Sequence, residues 1–312
     1  TENGGNLSGG QRQRISIARA IVKDAAEGAE TWYVASDYIV MVDNRIIVKG
    51  DVHLILADGS VLNAQGGGIT VADDDTTLEN GSPNSLTIYG QSTGKTMGIL
   101  YASGGLYQSG IGGGNNSAGG TITINGGEVH AVGYCSVAGI GGGHSGAGGT
   151  ITINGGIVSA TGSNDGAGIG GGCYREGGII TINGGKVTAY GGRETGAGIG
   201  GGHIGNGGTI TINGGNVTAI GGESGAGIGG AGSGGSGTFI TGGNGHAVIV
   251  ASSISDKDDT TQWSGVIFDG DNGQVYGSPV PTEDFEIPAG KTLTIPQGTR
   301  LTVPVVLINN GV

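Results

Sequence analysis

The tetrapeptide INGG begins at residues 124, 153, 182 and 212, and GIGG begins at 110, 139, 168, 198 and 227. Both recur every 29 or 30 residues. Two motifs in one register define a structural repeat. A period in this range means a solenoid or an array, built from units that cannot bury their apolar faces alone. One unit reads GGTITINGGEVHAVGYCSVAGIGGGHSGA, residues 119–147. Within it, Ile122 and Ile124 alternate with Thr121 and Thr123, and Val129 and Ala131 alternate with Glu128 and His130. Such period-two alternation marks half-buried strands. Ile140 anchors a third short stretch, AGIGGG, expected to behave likewise. Glycine pairs stand between the stretches and supply the positive φ that sharp corners need. Three strands and three turns per unit predict one coil of a right-handed parallel β-helix, an all-β solenoid.

Coils stacked about 4.8 Å apart turn each repeated position into a ladder. Ile122, Ile151, Ile180 and Ile210 form one inward column; Ile124, Ile153, Ile182 and Ile212 form a second, and Val129, Val158, Val187 and Val217 a third. Asn125, Asn154, Asn183 and Asn213 predict an amide ladder at a corner. Glycine supplies 76 of 312 residues, but not at every third position and with only 6 Pro, which excludes collagen. Periodic apolar positions, within a 35% hydrophobic composition, argue against disorder.

Four regions follow. Residues 1–28 hold a short helical segment, 29–105 less regular first coils, 106–245 the Gly-rich repeats, and 246–312 closing coils that repeat IP-x-G-x-x-LT. Opening on Thr1 and closing in the strand-like LINNGV, the chain reads as a fragment. It shows no signal peptide and no run of about 20 apolar residues, so no membrane span is expected in it. Charged residues are 12% and the net charge is −12, which argues against nucleic acid and anionic membranes as partners.

Several stretches carry a resemblance. They are WYVASDYIVMVDNRIIVKGDVHLILADGSVLNAQGGGITV, NSLTIYGQSTG, the four repeat units, and GVIFDGDNGQVYGSPVPTEDFEIPAGKTLTIPQG. Over about residues 30–312 the chain resembles large surface or secreted proteins of Gram-positive gut bacteria, described as adhesin-like or carbohydrate-binding-domain-containing repeat proteins. The resemblance implies a β-helix on or outside the cell and does not imply a reaction.

Residues 6–24, NLSGGQRQRISIARAIVKD, resemble the signature segment of ATP-binding cassette ATPases, with Ser8, Gly9, Gly10 and Gln11 at the positions that meet a γ-phosphate at a helix N-terminus. The rest of that machine is missing. A phosphate loop needs G-x-x-x-x-G-K-[ST] between strand and helix. GQSTGKT, from Gly90, is one residue short and follows the signature segment instead of preceding it. YIVMVDN carries Asp43 followed by Asn44 where Asp-Glu belongs. No Mg²⁺ ligand set can be named. As a cap, the helix would offer Ile15, Ile17, Ala18, Ile21 and Val22 to the solenoid end.

Other constellations have ordinary structural explanations beside their functional ones. His144, Cys173 and His203 follow GIGGG on successive coils, after Asn115, and offer a Zn²⁺ or Cu row; the competing reading is exposed turn residues. Cys135 belongs to a different corner, so a Cys135–Cys173 disulfide is not expected. Asp73, Asp74 and Asp75, then Asp256, Asp258 and Asp259, then Asp269 and Asp271 supply oxygens of the kind Ca²⁺ takes. Gly273 replaces a third ligand in DGDNG, and solvated loops are the competing reading. No cofactor is required by any motif. Outward Thr121, Thr123, Thr150, Thr152, Thr181, Thr209 and Thr211 resemble the flat arrays of ice-binding β-helices, although Ile179 interrupts them; ordinary strand preference explains them as well. Outward charges of the repeats differ from unit to unit and show no paired carboxylates, as β-helical lyases or hydrolases require. Tyr107, Tyr134, Tyr174 and Tyr190 offer rings on which a sugar could stack.

Together these features point to an extracellular, cell-wall or cell-surface, non-enzymatic β-helix that presents an extended face to glycans or host surface components. A polysaccharide-active lyase or hydrolase is the second reading, and a transporter ATPase fragment the third.

Overall fold

A computed structural model describes residues 30–36, 40–72, 84–94 and 96–311. The chain winds as a parallel β-helix with three faces. The first face stacks Glu30–Ala35, Asp51–Leu56, Ser85–Gly90, Thr121–Ile124, Thr150–Ile153 and Ile179–Ile182, then the start of Thr209–Ile220 and of Thr238–Ala251. The second stacks Val61–Gly67, Ile99–Gly104, Glu128–Val132, Ile157–Thr161 and Lys186–Tyr190 in the same order. The third is a seven-stranded parallel sheet from Ile46–Ile47 to Ile228–Ala231.

Register follows the repeat residue for residue. Ile122 pairs with Ile151, Ile151 with Ile180, and Ile180 with Ile210; all are fully buried, as are Ile124, Ile153, Ile182 and Ile212. The Val129, Val158, Val187 and Val217 column is equally inward. The less regular strands before residue 105 continue the same ladders, with Leu86 under Ile122 and Leu100 under Val129. Outward threonines are half-buried or exposed, and Ile179 breaks their array at 55% exposure.

AGIGGG does not alternate like the other two strands. Ile140 is buried, and so are the glycines on both sides of it. Gly141 has φ +129, and a Cβ there would lie 2.1 Å from the carbonyl oxygen of Gly170 on the next coil. The third face is thus a glycine surface over which the returning loop closes, and only glycine permits that approach.

Coils do not run to residue 312, as the IP-x-G pattern led one to expect. Gly265–Asp269 adds one parallel rung to the second face, and Asn272–Tyr276 then returns antiparallel. The cause is local. Gly270, at φ +63, and Asp271 make a two-residue hairpin turn between Asp269 and Asn272. Phe285–Ile287 pairs with Leu307–Asn309, and a second apolar cluster forms from Val248, Val266, Phe268, Phe285 and Ile287. The prolines of IP-x-G open turns closed by bonds from Lys291 N to Pro288 O and from Thr299 N to Pro296 O, both 3.1 Å. The solenoid end is plugged by aromatic rings. Phe239 sits in the ladder above Ile210, and the buried Trp263 packs edge-on against it at 5.3 Å. The cap proposed for residues 6–24 lies outside the described residues.

Candidate glycan-binding groove

The predicted amide ladder is present. Asn154 Nδ2 donates to Asn125 Oδ1, Asn183 Nδ2 to Asn154 Oδ1 and Asn213 Nδ2 to Asn183 Oδ1, each at 2.7 Å. Because every amide is used by its neighbours, this corner is a structural seam.

The His144, Cys173 and His203 row does not come together as a metal site. Among the described residues, no three His, Cys, Asp or Glu side chains could hold an ion together. Cys173 is buried and its thiol is pushed up to about 11, first by burial and then by the Asp165 charge, so it stays protonated where a ligand must be a thiolate. Its Sγ lies 3.9 Å from Asp165 Oδ2. His144 Nδ1 is 3.2 Å from Ser145 Oγ, and His203 Nδ1 is 3.1 Å from Thr195 Oγ1. Thr195 in turn donates to Asp165 Oδ1 at 2.9 Å. Both cysteines are free thiols. The row is therefore divided among separate local bonds.

Four of the acidic residues, Asp256, Asp259, Asp269 and Asp271, are likewise engaged within the fold. Asp256 Oδ2 accepts from Phe239 N at 2.8 Å, and Asp259 caps the short 3₁₀ turn Thr260–Gln262. Asp269 accepts from Ile254 N at 2.9 Å and pairs with Lys257, while Asp271 meets Lys291 at 3.4 Å. Asp73, Asp74 and Asp75, together with Ser8, Gly9, Gly10 and Gln11, lie outside the described residues. GQSTGKT begins at the end of Ser85–Gly90 and leads into another strand, Ile99–Gly104, instead of a helix.

What the structure does assemble is one position further along. Asn116, Ser145, Tyr174 and Ile204 occupy the same corner of successive coils with φ of 60, 56, 65 and 50°. A non-glycine residue in the left-handed region costs roughly 1 kcal/mol or more, and a β-branched one is a genuine outlier. Strain of this kind gathers at functional positions. These four side chains line an open groove of about 390 Å³ that runs along the stacking direction. Tyr174 is 55% exposed and rests edge-on against His203 at 5.4 Å. Arg175 Nε donates to Ser145 O at 2.9 Å, which fixes the guanidinium along the groove, and Glu176 and Asn206 complete the wall. An exposed ring flanked by amide, guanidinium and carboxylate groups is the chemistry that holds a sugar by stacking and hydrogen bonds. Of the four tyrosines offered as sugar platforms, Tyr174 is the one in this groove. Its companions Asn116, Ser145 and Ile204 were missed, though their spacing of 29 or 30 residues was visible.

Residues 122–144, 151–173, 180–203 and 210–237 match a family described as Beta helix repeat, each match spanning most of one coil. No curated protein and no solved structure matches the chain.

Proposed function

We propose that this chain is a non-enzymatic, extracellular β-helix that binds glycans of a cell or host surface in the Asn116–Ile204 corner groove. The observation that carries the reading is the column of four strained corner residues that opens a ligand-sized groove around the exposed Tyr174. Among the described residues, Glu176 is the only carboxylate lining it, whereas acid–base glycoside cleavage uses two. That favours binding over hydrolysis. The resemblance of residues 30–312 to bacterial surface repeat proteins supports the location. The net charge of −12 favours neutral glycans over nucleic acid.

A glycan array read with the wild-type chain and with Tyr174→Ala tests this. The wild type should bind a set of glycans, and the variant should lose about tenfold, the equivalent of roughly 1.4 kcal/mol of stacking. Binding unaffected by Tyr174→Ala would reject the groove. Release of shortened oligosaccharides from any polymer would reject the non-enzymatic reading.

A further inference from the structure

The inner alanine column of the second face ends in a carboxylate. It runs from Ala64 through Ala131 to Ala251, all buried, and the next rung in register places Asp269 opposite Ala251. Asp269 lies on the same side of its strand as Ile267, which belongs to the solenoid core. Across the hairpin, Gln274 stands opposite Ile267, and Tyr276 shares its side. Where a further coil would bring apolar side chains, the chain therefore leaves a polar cup of about 230 Å³. Trp263 and Ile267, both buried, lie at its base, and Lys257, Asp269, Gln274 and Tyr276 surround it. Asp269 is held in place by Ile254 N and Lys257 Nζ. Tyr276 is held edge-on against Trp263 at 5.2 Å. Burial and the Asp269 charge keep the Tyr276 phenol protonated, so it can both donate and accept.

We infer that this cup is a second binding site that takes one neutral pyranose ring. Trp263 and Ile267 at the base and the ring of Tyr276 beside them provide apolar contact, and an amide, a phenol and a carboxylate provide hydrogen bonds to hydroxyls. The Lys257–Asp269 pair leaves the lining without net charge, which suits an uncharged sugar, and the volume admits a single ring and not a chain. The choice of a sugar rests on the glycan reading above, whereas the cup itself does not depend on the groove.

The chain has two tryptophans, Trp32 and Trp263. Trp32→Phe leaves Trp263 as the sole reporter. Its emission is titrated with glucose, galactose and mannose. A saturable change is expected with at least one of them. Gln274→Ala and Tyr276→Phe should each weaken it about tenfold without lowering the melting temperature, and Tyr174→Ala should leave it unmoved. A flat titration with all three sugars, or a signal that survives both cup variants, overturns the site. A flat titration beside array binding that depends on Tyr174 rejects the cup and leaves the groove. A saturable, Gln274-dependent titration beside an array indifferent to Tyr174 rejects the groove and supports the cup.

Discussion

Replacing Gly141 by Ala adds one methyl group to the third face, and the structure sets the expected damage. At φ +129 an L-residue is strained by roughly 1–2 kcal/mol. The new Cβ would lie 2.1 Å from Gly170 O, so the two coils must separate there by about an ångström. That carbonyl accepts the 2.8 Å bond from Gly142 N, and leaving this bond unmade in a buried corner costs about 1–3 kcal/mol. The sum is about 2–5 kcal/mol, a large share of the roughly 5–15 kcal/mol that a native domain possesses. The same mutation at Gly243 has the opposite sign. Nothing lies within 4 Å of a Cβ there and φ is not positive, so Ala should stabilise by about 0.4–1 kcal/mol through the unfolded chain. Urea midpoints of the two variants, with hydrogen exchange of the 140–170 segment as a local readout, measure the difference. Solenoid units couple mainly to their neighbours, so the loss at Gly141 should appear first as faster exchange in the coils on either side. A Gly141→Ala variant as stable as Gly243→Ala would refute the argument that close approach dictates glycine on this face.

Other outcomes follow from the same geometry. Ile153→Asp buries an unpaired carboxylate between Ile124 and Ile182, so a single undiminished cooperative melt would reject the core assignment. Asn154→Ala removes two ladder bonds and Asn213→Ala one, so by chemical denaturation the first should destabilise about twice as much. Cys173 keeps its proton to about pH 11 when folded, while an unfolded thiol ionises near 9.0. The unfolded chain therefore holds fewer protons between those values, and stability falls as pH rises through the window, an effect that Cys173→Ser should abolish. For nucleotide, calorimetry with millimolar ATP and Mg²⁺ should show no binding, and turnover lost on Ser8→Ala would overturn that expectation.

The fold was legible because each ladder position repeats its residue type. Ile122 to Ile210 and Asn125 to Asn213 state their own pairing, and the structure places them one above another. Two things were hidden. The His144, Cys173 and His203 column has the right spacing, but spacing along a solenoid fixes a corner and not the direction of a side chain; Asp165 and Thr195, which engage Cys173 and His203, come from another turn of the coil. The end of the stack was equally opaque. GVIFD continues the parallel stack, with Val266 and Phe268 buried on one side and Ile267 on the other, and only the Gly270–Asp271 turn converts the next strand from parallel to antiparallel. A sequence read for continuing periodicity passes over that turn, and with it the cup.

Both proposed sites lie where the repeat stops repeating. In the ladders, a changed residue would disturb two neighbouring coils at once, so Ile153 and Asn154 have little freedom. At the Asn116–Ile204 corner the backbone is fixed by glycine-rich turns on either side, and the four side chains between them differ in size and polarity. The rigid stack holds these positions at a constant interval while leaving their chemistry open to change. The same logic applies at the last rung, where Asp269 replaces alanine because no further coil needs to pack above it. A solenoid of this kind can acquire a new ligand by altering one corner column or its terminal rung, without cost to the ladders that keep it folded.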